Sequence, residues 1–156
     1  MDLQIAWLPV LEADLTVGPV IYIEPVVLAV GATHRLAGRE SISYEDLGDE
    51  IVMGGAEPDY WREALVPRTT PSGRPIRIGP IVTDYGDMIP ILSNCEAVSP
   101  AHAHAIRYFP RPDLAYVPIR DAPPARWALI RRTAAEAEHV RAFVRVVHDL
   151  GPARDG

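Results

Sequence analysis

The sequence predicts an α/β fold. Short runs dense in Val, Ile and Leu alternate with segments of helical character along the whole chain. The clearest helix is the last, where Val140, Phe143, Val144, Val147 and Leu150 recur at helical spacing. Apolar residues make up 48% of the 156, enough to fill the core of one domain or of two small lobes.

The elements follow in order. Leu3–Leu8 has the apolar density of a buried strand, stopped by Pro9. A loop containing Glu12, Asp14 and Gly18 is expected next, then a second strand from Ile21 to Val30 with Pro25 at its start or edge. Gly31–Arg39 is a polar turn region. Ser43 is placed to cap a short helix through Leu47. Ile51–Met53 is a short strand ending in Gly54 and Gly55, Tyr60–Val66 a short helix, and residues 67–75 a surface loop. Ile76–Val82 is a strand, and Thr83 or Asp84 caps a helix running to about Asn94. Pro90 fits that helix if it effectively begins near Asp87. Ala97–Ser99 is a brief strand ended by Pro100, and Ala101–Tyr108 fits a helix. Leu114–Ile119 and Trp127–Arg131 are strands about the turn Asp121–Pro124. Thr133 and Glu136 form a capping box for the last helix, which Gly151 and Pro152 end.

Composition excludes some functions. The net charge of −6, with basic residues scattered and all of them arginine, argues against binding duplex DNA by this chain alone. No run is long and apolar enough for a membrane span, and Met1–Gln4 does not open a secretory signal. The single Cys95 cannot form an internal disulfide, which points to a cytoplasmic setting.

No constellation of catalytic residues is legible, and no cofactor or metal is expected. Asp14, Glu24, Asp46, Asp84 and Asp87 read as solvated or capping carboxylates. His102 and His104, two apart on a helix, would face different ways and so would not share a metal. Cys95 lacks a thiol-enzyme signature, and Gly54-Gly55 lacks a phosphate-loop pattern. Thr83-Asp84 opens a helix directly after a strand. Such a helix start has free amides that suit a carboxylate, but the Asp84 side chain competes for them, which favours a plain cap. The residues alone describe an α/β domain able to bind a small molecule.

Several stretches, in order, resemble the effector-binding domain of LysR-type transcriptional regulators. Asp2–Ala6 resembles the family's mid-domain strand. Glu24-Pro25 and the apolar run to Val30, followed by His34-Arg35-Leu36-Ala37, resembles its most characteristic segment. Ser41–Leu47, Arg111–Ile119, Trp127–Arg131 and the final helix match later pieces, so the likeness runs from Asp2 to about Leu150. Ser93–Pro100 departs from the family, standing where a glycine-rich turn is usual. Asn94 is expected to take the left-handed position there, which Cys95 and Ala97 would not adopt comfortably.

The resemblance implies a type 2 periplasmic-binding-protein-like fold of two lobes joined by crossing strands. Residues 1–32 and 117–150 would form a partial lobe I, 33–116 lobe II, and 151–156 a disordered tail. The first lobe would be incomplete and the family's winged helix-turn-helix absent. The implied ligand contacts are Trp7, Pro9, Gly54, Gly55, Thr83, Asp84, Tyr85, Ser99 and Pro100. The implied function is a non-enzymatic sensor of a small-molecule effector, with a carboxylate as one candidate class, that regulates transcription in a bacterium as a homodimer or larger assembly. The strand Leu3–Leu8, without its family neighbours, would offer an open edge for that assembly. The alternatives are a free-standing binding protein, a non-functional remnant, or a hydrolase using Cys95 or Ser99.

Overall fold

The computed structural model describes residues 3–55, 57–134 and 137–154. The fold is α/β, with strands and helices alternating as the sequence predicts. The chain divides into two compact units: Met1–Glu24 with Pro124–Gly156, and Pro25–Pro123.

The first unit is built on a sheet of order β1-β8-β2-β9, from β1 (Gln4–Trp7), β2 (Leu15–Glu24), β8 (Ala125–Arg132) and β9 (Ala153–Arg154). β8 pairs antiparallel with both β1 and β2. The loop expected through Gly18 is therefore strand from Leu15 onward. Irregular register between Val17 and Val20 absorbs Gly18 and Pro19 without ending the ladder. The strand expected over Ile21–Val30 is two strands, broken where Pro25 has no N–H to donate. The tail expected to be disordered pairs with β2 at Ala153 and Arg154.

α4 (Glu138–Leu150) closes this unit. Its expected capping box lies partly on residues 135–136, outside the described residues, and the cap observed is Ala137, with no side-chain bond. Thr133 instead serves the sheet: its N–H donates to the Asp14 carbonyl at 2.9 Å, and its hydroxyl meets that of Thr16 at 2.9 Å. The apolar stripe is only partly covered. Val140 is buried and Val144 and Val147 are half-buried, but Phe143 is 52% exposed and Leu150 79%. The helix ends at Gly151, whose φ of 71° suits glycine.

Glu24 corrects the expectation of a solvated carboxylate. It is 1% exposed, and the Trp127 indole N–H donates to it at 2.6 Å. Burial of a carboxylate requires such donors. Trp127→Phe removes this one, and the expected loss of stability is about 1.5–3 kcal/mol. Urea unfolding of the two proteins checks it; an unchanged midpoint would show that other donors suffice.

The second unit centres on β3 (Val26–Gly31), an unbroken apolar strand buried throughout. It lies between β6 (Ser99–His102) and β7 (Leu114–Pro118), antiparallel to each. β4 (Ile51–Gly54) and β5 (Arg77–Ile81) form a parallel pair. Backbone bonds between Val98 and β4, at 2.8 Å in both directions, join that pair to the start of β6. Pro100 sits within β6 rather than ending it, opposite Leu28. An edge strand tolerates a missing donor. β6 continues to His102, so the helix expected from Ala101 shrinks to α3 (Ala105–Tyr108). His102 and His104 consequently do not diverge: their rings stack at 5.9 Å.

Ser43 caps a 3₁₀ helix at Tyr44–Asp49 through a capping box with Asp46, and α1 spans Asp59–Leu65. The His34–Ala37 element has a structural reason. The His34 ring accepts the Leu36 N–H at Nδ1 (3.2 Å), its Nε2 faces Glu50 at 3.2 Å, and Arg35 meets the other oxygen of that buried carboxylate at 2.5 Å.

α2 (Tyr85–Ser93) begins two residues before Asp87 and holds Pro90 inside it. Gly86, four residues earlier, and Pro90 are both exposed, so water can serve the carbonyl the proline leaves unpaired. At its end the left-handed residue is Cys95 (φ 58°), and Asn94 keeps a φ of −81°. The Cys95 N–H donates to the Leu92 carbonyl (2.9 Å) and the Glu96 N–H to that of Ile91 (3.0 Å), which is a Schellman ending with cysteine where glycine is usual. Gly31 passes directly beneath: a Cβ there would lie 2.5 Å from the Leu92 oxygen and 2.7 Å from the Cys95 sulfur.

Candidate functional site

In the second unit the carboxyl ends of β4 and β5, the start of β6 and the first turns of α2 converge. Strands that end together leave a hollow above the sheet, floored by backbone and walled by the helices that follow. Here it is a concavity of about 240 Å³. Gly54, Gly55, Thr83, Ser99 and Pro100, all expected as ligand contacts, line it together. The sequence did not single out Met53, Leu65, Val66, Val82 and Met88, which complete the wall. No local signal marks them, since apolar residues that line a hollow have the composition of core.

Each polar group has a traceable cause. Gly55 has a φ of +140°, and a Cβ on it would fall 2.1 Å from the Val82 carbonyl oxygen. Only glycine lets this backbone lie so close. The Val82 N–H donates to Gly54 at 3.0 Å, fixing the two strand ends at the rim. The Thr83 side chain is exposed, and among the described residues its hydroxyl makes no hydrogen bond. Ser99 is 7% exposed and donates to the Pro100 carbonyl at 3.2 Å. The lining carries no charged side chain.

Asp84 caps α2, accepting the Gly86 N–H at 2.8 Å, so the plain cap is what forms. Tyr85 turns to another cluster. Its ring stacks on Phe109 at 3.7 Å, and its hydroxyl lies 3.0 Å from that of Tyr116, which donates to the Phe109 carbonyl at 3.0 Å. Burial, and then this bond with Tyr85, pushes the Tyr116 hydroxyl well above the ordinary phenol range, so it stays a donor. The cluster anchors the start of α2 and does not itself line the hollow. Trp7 and Pro9 belong to the first unit. Trp7 pairs across the sheet with Trp127, and Pro9 lines a separate concavity of that unit.

Elsewhere in the second unit, Glu45 gathers Thr70, Ser72 and Arg74. The Ser72 hydroxyl, at 2.6 Å, is the main cause holding its carboxyl near 2. Burial, then the nearby Asp121 carboxylate, pushes the Tyr44 hydroxyl up to about 12. Both groups tie loops together. The Cys95 sulfur meets Thr33 Oγ1 at 3.5 Å, and neither Cys95 nor Ser99 has a histidine or carboxylate hydrogen-bond partner among the described residues. Among those residues no three of His, Cys, Asp and Glu gather as for a metal ion. No helix there is long and apolar enough to cross a membrane.

Residues 1–151 match a family described as the LysR substrate binding domain. Among curated protein sequences none is significantly similar to the chain. Solved structures share its fold. A Corynebacterium glutamicum OxyR C206 mutant superposes with a TM-score of 0.74 at 17% identity, over 96% of this chain and 48% of that one. The Synechocystis PCC6803 CcmR regulatory domain in complex with 2-PG gives 0.73 at 20% identity, over 97% and 76%. The effector binding domain of QuiR in complex with shikimate gives 0.74 at 17% identity, over 96% and 71%. The chain thus spans about half the length of the OxyR protein it matches.

Proposed function

The chain belongs to the LysR substrate binding domain family, and from that premise we propose that it is a sensor module whose effector seats in the concavity of the second unit. The observation that carries the reading is the convergence there of Gly54, Gly55, Thr83, Ser99 and Pro100. Apolar walls with a few polar groups at strand ends are the usual build of a small-molecule site. An effector of this size would bury its body against Met53, Val82 and Met88 and direct a polar group to Thr83 and Ser99. The CcmR domain is recorded with 2-PG and the QuiR domain with shikimate, a carboxylate by its name. A carboxylate is accordingly the effector class we favour. With no cation in the lining, it would depend on the two hydroxyls and on backbone amides.

In this reading the first unit is part of lobe I and the second is lobe II. Asp84 and Tyr85 would contribute by placing the helix start. The module is regulatory and not an enzyme, works in the bacterial cytoplasm, and acts on transcription through a DNA-binding module attached or in partnership. Binding would shift its conformational equilibrium by no more than the effector's preference for one state.

A screen of small carboxylates by thermal shift, followed by calorimetry, tests the site. Thr83→Ala and Ser99→Ala are each expected to weaken binding about tenfold or more, the worth of one hydrogen bond to a charged ligand. If an effector is found and neither substitution weakens it, the site lies elsewhere.

Assembly through the first unit forms part of the same proposal. β1 is the outer strand of its sheet, with no second strand paired to it among the described residues, and it carries Ile5 at 55% exposure. Phe143 and Leu150 are also exposed, and exposed apolar side chains beside an open strand edge favour a homodimer or larger assembly. Light scattering over a dilution series is expected to show a mass above that of the monomer. A soluble monomer at high concentration would overturn it.

A further inference from the structure

The second unit carries a further hollow of about 410 Å³, whose lining falls wholly within that unit. Three segments of the chain wall it, and hydrogen bonds fasten them together. The Tyr44 hydroxyl donates to the Leu65 carbonyl at 3.1 Å, which joins the 3₁₀ helix to the end of α1. The Glu45 carboxylate accepts the Thr70 and Ser72 hydroxyls and so holds the loop 69–75 against the same helix. Asp121, beyond the end of β7, accepts the Tyr44 N–H at 2.9 Å and the Ser43 hydroxyl at 2.8 Å. Much of the wall between is apolar: Tyr44, Ala64, and the rings of Pro67, Pro71 and Pro123. Proline fixes its own φ, so this wall is stiff as well as apolar. Two carboxylates and no cation complete the lining. Glu63 is paired with Arg68, which lies outside the lining and is 77% exposed. Asp121 has no cation among the described residues; its partners are a hydroxyl and a backbone amide. Other surface carboxylates lack a cation too, Asp84 and Glu96 among them. Asp121 differs in that both of its oxygens are held, one by each donor, in the wall of a cavity, and each oxygen keeps a lone pair.

We propose that this hollow is a second binding site, for a small organic ammonium with a compact apolar body. The cation meets Asp121, whose orientation is already fixed, so little order has to be created on binding. Thr69, an exposed residue of the lining, has a hydroxyl that makes no hydrogen bond among the described residues and can accept a second ammonium proton. Tyr44 and the prolines cover the hydrocarbon, and an aromatic face also attracts a cation. The carboxylates of the lining repel anions, so the hollow does not take the carboxylates proposed for the effector concavity. The two share no lining residue.

The probe is 2-phenylethylamine, with 2-phenylethanol as its uncharged control, titrated into the full chain and followed by methyl NMR. The amine is expected to shift the methyl signals of Ala64, Thr69 and Thr70 in a saturable way, and the alcohol to bind more weakly by about tenfold or more. Asp121→Asn is expected to weaken the amine by about tenfold or more and to leave the alcohol unchanged. Ala64→Phe fills the hollow from an exposed position without touching the bonds of Asp121, and is expected to abolish the shifts at Thr69 and Thr70. Should Asp121→Asn loosen the fold, Ala64→Phe decides. Equal binding of amine and alcohol, an unchanged affinity in either variant, or no shift at these methyls would overturn the proposal. Shifts confined to Met53 and Met88 would also overturn it and place the amine in the effector concavity, so the two readings fail separately.

Discussion

Gly55→Ala is expected to destabilise the protein by about 3 kcal/mol or more, the combined scale of a strained backbone and a forced overlap. The added Cβ would sit 2.1 Å from the Val82 oxygen and 2.8 Å from its carbonyl carbon, and both are backbone atoms that cannot rotate away. Its φ of +140° is itself open only to glycine. Relief requires parting Gly54 from Val82, which breaks their 3.0 Å hydrogen bond and reshapes the rim of the concavity. Effector affinity should therefore fall together with stability. Gly38→Ala is the control: nothing lies within 4 Å of its Cβ position, so its effect should stay within about 0.5 kcal/mol. Urea unfolding followed by tryptophan fluorescence measures both. A Gly55→Ala protein as stable as its parent would mean that the backbone does not take this path.

Gly31→Ala is expected to cost a similar amount, about 2–3 kcal/mol, at the other end of α2. Two neighbours block the new methyl, and they differ in kind. The Cys95 sulfur belongs to a side chain, whereas the Leu92 oxygen is held by the N–H of Cys95 in the helix ending. Cys95→Gly alone should stabilise by about 1 kcal/mol, because it removes the penalty of a Cβ in the left-handed region. In the double variant the sulfur clash disappears but the carbonyl clash stays. Gly31→Ala should then cost measurably less than in the parent without becoming neutral, a non-additivity that marks direct contact. Strict additivity of the two changes would show that the sulfur does not touch residue 31.

Much of the fold is legible in the sequence because local preference and long-range packing agree there. The run Val26–Gly31 is apolar without interruption because it is buried on both faces of the central strand. Ser43 caps where its neighbours predict. The misread segments are those in which a distant partner outcompetes a local signal. Thr133 has the spacing of a helix cap, yet Asp14 and Thr16 claim it for the sheet. Leu15–Val20 contains a glycine and a proline and reads as loop, yet β8 draws it into a ladder. Cys95 takes the left-handed position over Asn94 because the Schellman bonds fall at that residue, a matter of helix length that composition does not encode. Glycines and polar residues at strand ends made half of the candidate site readable. Its apolar wall was not, because residues that line a hollow have the composition of core.

The pairing of β8 with both β1 and β2 also bears on how the protein is made. Gln4 finds its partner at Ile130 and Leu15 at Arg132, so among the described residues the partner strand β8 follows both early strands by more than a hundred residues. The strands β3 to β7 find all their partners within the continuous stretch Pro25–Pro123. Synthesis from the amino end therefore completes the second unit before β1 and β2 meet β8. During that interval those strands are the segments most exposed to aggregation and to chaperones.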